Sequence, residues 1–474
     1  MSTIGIIAEY NPFHNGHAFH VGETRAKTGA DTIVAIMSGN FTQRGEVAIL
    51  DKYERAAVAL NYVDMVAELP VAYSLGSAHT FAAGAVRLAA ALSCDGISFG
   101  SECGDIALLK EAAGAAFYSE QKEDFFSALK RGMTYPAALS YVVGRYYGEE
   151  VTAVFARPND TLAVEYIKAV DIHAPGMEVY AVKRYGASHG SDTVLSGDSG
   201  GGYASGSYVR KMIVNGVDTG GFAPVDYRYF TDTAAVATQT AQSDTVQSAQ
   251  TARVLKWDTP EDTDVNVFDE ADVAEEAEVT LETAAVANYV TEFAGGTLKT
   301  AGGAGITAGD RAATAPAAPD YAHIVRLEKA ILAFYRAATA HEIENYQCLT
   351  RELSNRIISA ARLARNLNEL LCLAKTKCYT MARIRRAVMC GFLRLNKCPV
   401  NPPYIHILGM NGRGKALLKN ASLPADTSLM NLSGLSDTCK QFARTEARCG
   451  DIYALCFSRP RPSGGDYRAK PVIM

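Results

Sequence analysis

The stretch Ile4-Gly-Ile-Ile-Ala-Glu-Tyr-Asn-Pro-Phe-His-Asn-Gly-His17 constrains this chain more than any other. Ile4, Ile6, Ile7 and Ala8 form an apolar run of strand length, Asn11-Pro12 breaks it, and Ala18-Phe-His-Val21 restarts a helical pattern. A buried strand that turns at once into a helix is the opening unit of a doubly wound α/β fold. His14 and His17 then stand three apart on one face of the first helical turn. A helix start carries unpaired N–H groups and a partial positive charge, and Gly16 lets an anion approach the backbone. The two imidazoles can donate hydrogen bonds to charge developing on a phosphoryl group. Such a set suits a nucleotide α-phosphate, with attack at phosphorus and pyrophosphate leaving.

A second element points the same way. Ala204-Ser-Gly-Ser-Tyr-Val-Arg210 puts Ser205, Ser207 and Arg210 at the opening of a helix expected over Tyr208 to Val214. Those groups suit phosphates, and the plainer alternative is a serine N-cap on a surface helix. From residue 4 to about 213, strand-like runs (Thr32 to Met37, Gly96 to Gly100, Glu178 to Val182) alternate with helical stretches. The alternation predicts a doubly wound, mainly parallel, Rossmann-like sheet. Ligands of such sheets bind at the carboxyl ends of strands, so the loops after Ile7, Met37, Phe99 and Val182 should share one crevice. They would bring together Asn11 to His17, Ser38-Gly39-Asn40 with Gln43 and Arg44, Gly100-Ser101-Glu102, and Lys183-Arg184. Between Leu69 and Leu92 the chain is largely apolar, and His79 there reads as a core histidine with satisfied hydrogen bonds.

At 474 residues and 48% hydrophobic, the chain can bury at least two cores. It shows neither a signal-peptide pattern nor an apolar run long enough to span a membrane, so a cytoplasmic protein with no membrane partner is expected. Eight of the ten cysteines follow residue 347 and none forms a Cys-x-x-Cys pair, which predicts reduced, packed thiols and no metal site. Charge is unevenly divided. Residues 1–321 carry 22 Lys/Arg against 41 Asp/Glu, a net −19, and residues 322–474 carry 24 against 10, a net +14. The C-terminal part is therefore the expected polyanion-binding surface.

Three domains follow from this reading: a nucleotide-binding α/β domain over 1–230, an insertion or linker over 231–320, and a basic, mostly helical domain over 321–474. The middle segment is rich in Ala, Thr, Asp, Glu and Gly, has no Lys or Arg between Lys256 and Lys299, and ends in linker-like Gly302-Gly-Ala-Gly305 and Ala315-Pro-Ala-Ala-Pro319. An acidic helix around Ala271 to Val286 is compatible with its pattern. Beyond Tyr321 the period is helical and leads into Lys375-Thr-Lys-Cys-Tyr-Thr-Met-Ala-Arg-Ile-Arg-Arg386. There Met381, Ile384 and Val388 can face inward while Lys377, Arg383, Arg385 and Arg386 face out along a phosphate backbone. Tyr404 to Lys415 adds a short strand and a glycine-rich basic turn with Arg413.

With these pieces in place the chain resembles the bacterial tRNA(Met) cytidine acetate ligase family, a branch of the histidine-motif nucleotidyltransferases. Five segments carry the resemblance: Gly5 to His17, Met37-Ser-Gly-Asn-Phe-Thr-Gln-Arg-Gly-Glu46, Arg157-Pro-Asn-Asp-Thr-Leu-Ala-Val-Glu-Tyr166, Lys375 to Arg385, and Tyr404 to Lys415. It spans roughly residues 2–228 and 322–474. The resemblance implies ATP-dependent activation of acetate to acetyl-adenylate, then transfer of the acetyl group to N4 of the wobble cytidine of elongator tRNA(Met). It implies ATP as substrate, with Mg2+, and acetate as co-substrate. His14 and His17 would be catalytic. The ATP site would comprise Ile7, Ala8, Glu9, Tyr10, Asn11, Pro12, Phe13, His14, Asn15, Gly16, His17, Ala18, Phe19 and His20, with Gly100, Asn159, Arg184, Ser205 and Ser207. Lys375, Lys377, Arg383, Arg385, Arg386 and Arg413 would contact tRNA.

Departures from the family pattern are the acidic insertion, Asp160 where asparagine is usual, and Gly206-Ser207 where Ala-Thr is usual. A carboxylate beside Asn159 would weaken triphosphate binding if it pointed inward. Two alternatives stand beside the ligase: a small-molecule adenylyltransferase of the nicotinamide or pantetheine type, and a non-catalytic, nucleotide-responsive RNA-binding factor. The oligomeric state is left open.

Overall fold

The computed structural model describes residues 2–184, 195–196, 202–227, 320–398 and 401–474. Apart from Asp320, the 231–320 segment and its acidic stretch around Ala271 to Val286 lie outside the described residues.

Five strands run parallel: β1 (Thr3–Ala8), β2 (Thr32–Ser38), β3 (Met65–Leu69), β4 (Gly96–Ser101) and β5 (Glu178–Lys183), in the spatial order β3-β2-β1-β4-β5. In β2 and β3 every residue is buried, the mark of strands covered on both faces by crossover helices. Alternate residues serve opposite faces. Ile33, Ala35 and Met37 join Ile4, Ile6 and Val21 beneath the helices Asn15–Thr28 and Lys52–Ala59, whereas Val34 and Ile36 join Ile7, Phe81, Leu88 and Ile97 on the other side. A short hairpin, β6 (Leu195–Ser196) with β7 (Gly202–Tyr203), precedes the helix Gly206–Val214. That helix begins two residues before the expected Tyr208, with Ser205 as its N-cap.

The sheet does not end with the N-terminal part. β8 (Ile405–Met410) pairs antiparallel with β3, and β9 (Ala425–Asp426) and β10 (Val472–Ile473) pair parallel with β8. Residues 321–474 therefore complete the central sheet besides building a helical core, which modifies the expected boundary near 320. Helices Glu328–Ala337, Arg351–Leu363, Leu367–Ala374 and Met381–Phe392 form that second core around Ile331, Tyr335, Leu353, Ile357, Ile384 and Val388. Phe41, Val47, Val71 and Leu75 reach into it from the loops after β2 and β3.

His79 differs from expectation. It sits on the first turn of the helix Ala78–Ala91 with its side chain 59% exposed, and it meets Glu165 across 3.4 Å rather than lying in the core. The helix packs through Phe81, Ala82, Ala85 and Val86, and that face leaves position 79 outside. All ten cysteines are free thiols. Among the described residues no helix is long and apolar enough to cross a membrane.

Candidate active site

The helix after β1 starts at Asn15, so His14 is its N-cap and His17 its third residue. The two imidazoles take the places that serine and glutamate hold in an ordinary capping box. His14 Nδ1 accepts from the Gly16 amide at 3.1 Å, and His17 Nδ1 accepts from the His14 amide at 3.2 Å. An Nδ1 that accepts leaves Nε2 to carry the proton of the neutral ring. The rings stack with centroids 3.8 Å apart, so both Nε2–H edges belong to one small patch at the helix start. Gly16 permits this, because a β-carbon there would meet His14 Cε1 at 2.9 Å.

Burial first, then the positive charges of Arg184 and Arg210, push His14 down to about 3. Burial and neighbouring His14 and Arg184 hold His17 well below its usual range, and burial with Arg184 and Lys27 brings His20 down to about 4. The group is thus neutral at pH 7 and donates hydrogen bonds without carrying charge. The His20 ring Nε2 lies 3.0 Å from Ser98 Oγ.

Three further segments meet this patch. Arg210 donates to the Asn11 carbonyl at 2.7 Å and to Ser207 Oγ at 3.1 Å, tying the second helix start to the first. A β-carbon on Gly206 would stand 3.7 Å from His14 Nε2, an ordinary contact distance, so that ring edge lies beside the start of the second helix. Arg184 leaves the end of β5, passes Gly100 with its Cγ 3.4 Å from where a β-carbon would sit, and reaches Asn159 Oδ1 at 3.5 Å. Two helix N-termini and two arginines therefore surround the histidines, a surrounding that favours anions.

Asp160 does not point at that anion site. Fully buried, it accepts from Ser101 Oγ at 2.5 Å, from Glu102 N at 2.7 Å and from Cys103 N at 3.1 Å, closing the loop after β4. Among the first-loop residues, Ile7, Tyr10 and Phe13 bury their side chains in the core, leaving only backbone to offer a ligand. Tyr10 takes a left-handed φ of 45°, a costly conformation for a non-glycine residue beside a site.

The basic segment is divided. Lys375 and Lys377 are exposed, and Arg383 lies half-buried over the Tyr379 ring at 4.9 Å. Arg385 and Arg386 do not face out as expected. Arg385 pairs with Glu46 at 3.1 Å, and Arg386 donates to the Gln43 carbonyl at 3.3 Å with its guanidinium desolvated. Arg413 lies on another part of the molecule, with its side chain 68% exposed. β8 runs against β3, so residues just beyond Met410 lie beside Asp64 and Asp31, at the amino ends of β2 and β3. That is the end of the sheet opposite the histidines, roughly 17–20 Å away by strand length.

Sequence reasoning missed two braces. Arg55, 1% exposed, donates to the carbonyls of Glu9 (2.6 Å), Ser38 (3.1 Å) and Leu50 (3.0 Å) and also to Gly39, gathering the loops after β1 and β2. Beside it, buried Lys52 bridges Glu68 at 2.8 Å and Asp466 at 3.0 Å, while His406 Nδ1 lies 2.6 Å from Glu68. Burial alone would raise Glu68, yet Lys52 and His406 outweigh it and hold it down to about 2. On the helix Lys52–Ala59 these charges carry no signal that separates them from a solvated face.

A sequence profile of the HIGH Nucleotidyl Transferase family matches residues 1–296 and 313–466. The tRNA(Met) cytidine acetate ligases of Staphylococcus aureus strains MRSA252 and JH9 are each 40% identical over 215 residues, which are 45% of this chain and 54% of theirs. The chain thus spans about half the length of the curated relatives it matches. The apo crystal structure of Thermotoga maritima TmcAL superposes with a TM-score of 0.71 at 24% identity, covering 100% of both chains. Its form bound with alpha-thio ATP gives 0.68 at 24% identity, over 100% of this chain and 99% of that one. These two share the fold described above. From a profile that covers both the histidine loop and the C-terminal helices, the chain belongs to the HIGH Nucleotidyl Transferase family.

Proposed function

We propose that this protein is an ATP-dependent ligase that converts acetate to acetyl-adenylate and passes the acetyl group to N4 of the wobble cytidine of elongator tRNA(Met), working in the cytoplasm. The observation that carries the reading is the stacked, neutral His14–His17 pair between two helix N-termini, with Nε2 of His14 beside Gly206. An acetate oxygen attacks the α-phosphorus of ATP and pyrophosphate leaves. Charge grows on the α-phosphate oxygens in that step, and the imidazole N–H groups are placed to receive it without prior reorganisation. Arg184, held beside Asn159 and Gly100, and Arg210, beside Ser207, offset the triphosphate. The cytidine amine then attacks the carbonyl carbon of the mixed anhydride, AMP leaves, and the amine proton is lost to solvent. No protein nucleophile is required.

Among the described residues no three or more His, Cys, Asp or Glu side chains cluster to hold a metal. Magnesium would enter as an ion carried on the phosphates of ATP. On this reading the α/β part holds ATP and acetate, and Lys375, Lys377 and Arg383 meet the tRNA backbone. The named relatives and the alpha-thio ATP complex of the Thermotoga protein support it. The test is mass analysis of nucleosides from bulk tRNA after incubation with ATP and labelled acetate. Labelled N4-acetylcytidine at the wobble position is the expected product. Pyrophosphate release that ignores acetate and follows a phosphorylated cofactor precursor would refute the ligase.

A further inference from the structure

The loop after β2 is held on both of its sides. Towards the histidine loop, the Gln43 amide donates to Glu9 Oε1 at 2.7 Å and the Ile49 amide donates to Asn11 Oδ1 at 2.9 Å. Internally, Phe41 and Val47 bridge as a small hairpin, closed by Thr42 N to Glu46 O at 2.9 Å and Gly45 N to Thr42 O at 3.0 Å. Towards the C-terminal helices, Glu46 pairs with Arg385 and the Gln43 carbonyl takes Arg386. Gly45 lies so close to the helix Met381–Phe392 that a β-carbon on it would stand 2.7 Å from the Arg385 carbonyl carbon and the Arg386 nitrogen. Its φ of 80° is one that a side chain also disfavours. Tyr453 adds a hydrogen bond to the Ala48 carbonyl at 2.9 Å.

An arginine committed in this way ties the hairpin to the helix. We infer that Arg385, acting through Glu46, is a positioning residue for acetate activation, and that the Phe41–Val47 hairpin carries the seating of the helix Met381–Phe392 to the histidine loop. The inference rests on the ligase reading above and goes beyond it by giving this arginine a part in the first half-reaction, before RNA is present. Glu9 and Asn11 flank the site, and a displacement of about 1 Å in such groups can cost on the order of 10²-fold in rate. The Arg385–Glu46 pair is partly solvated, with side chains 21% and 35% exposed, so its loss should move the loop far more than the global stability.

The experiment is acetate-dependent ATP–pyrophosphate exchange by the full chain without tRNA. Arg385→Glu and Glu46→Arg should each lower exchange about tenfold or more, and the doubly reversed variant should recover most of it. The loss should fall on kcat and the KM for acetate, with the KM for ATP within about threefold of wild type. Gly45→Ala, which removes no charge, should lower exchange comparably, and it decides the matter if the reversal variants fail to fold. Normal exchange by Arg385→Glu and Gly45→Ala, with weaker tRNA binding by the former, would overturn the inference and return Arg385 to the RNA surface. A wild-type protein without acetate-dependent exchange would instead refute the ligase reading itself.

Discussion

Gly16 and His14 close on each other: the amide of one donates to the ring of the other, and no side chain fits between them. The glycine thus fixes the tautomer and the tilt of the imidazole at once. Gly16→Ala should displace the ring and lower acetate-dependent exchange by about 10²-fold. Thermal unfolding would show a much smaller change, because position 16 lies in the first helical turn, where alanine is the better helix former. Wild-type exchange in this variant would show that the ring's placement is not needed.

On the proposed mechanism His14→Ala removes a donor from the α-phosphate, and a single donor of this kind typically contributes about 10²–10³ in rate. Acetylcytidine formation should fall by that factor. Affinity for tRNA, read by filter binding, should stay within about twofold. Loss of tRNA binding with surviving acetyl transfer would reverse the assignment.

Asp160→Asn tests a buried cap. The carboxylate accepts from three donors of the loop after β4, and an amide NH2 would face at least one of them. A cost of about 1–3 kcal/mol in chemical unfolding is expected. ATP affinity by calorimetry should change less than about threefold, since the side chain turns away from Arg184 and the histidines. A large gain in ATP affinity without loss of stability would place the carboxylate in the anion site after all.

The depressed histidines predict acid sensitivity of the ligand-free protein. His14 and His20 titrate at about 3 and about 4 in the fold, with His17 also lowered, against 6.5 in the unfolded chain. Below that value the unfolded state binds more protons, so their contribution is present above pH 6.5 and is lost as pH falls toward the folded values. Each histidine contributes up to about 1.4 kcal/mol per pH unit. Urea unfolding at about pH 7.5 and about pH 5.5 should show this slope, and a variant with all three changed to asparagine should flatten it. Equal slopes in the two proteins would mean that the rings are not desolvated.

Lys375 and Lys377, the exposed members of the basic segment, should supply salt-dependent tRNA affinity. Replacing both with alanine should reduce the slope of log K against log salt by about 2 while leaving tRNA-free exchange intact. An unchanged slope would remove them from the RNA surface.

The histidine site was legible because its signals are local. A strand, a break and a helix start lie within residues 4–21, and Gly16 marks the place where the backbone must stay bare. Arg55, Lys52 and Glu68 were not legible, because their partners are carbonyls and carboxylates that only the tertiary fold supplies. Arg385 shows the same limit from the opposite side. Five cations in twelve residues read as one solvated face, and nothing nearby in sequence announces that Glu46 and Gln43 will take two of them. Strand direction, which hydrophobic pattern does not encode, is what puts Arg413 beside the amino ends of β2 and β3.

The antiparallel seating of β8 on β3 has a consequence for biosynthesis. Until residues 405–410 have left the ribosome, β3 presents an open flank of unpaired amides and carbonyls, so a nascent or truncated chain is exposed to mispairing over most of its synthesis. A chain cut anywhere between residues 228 and 319 would leave each piece with an unfinished sheet, and so the two must be made as one.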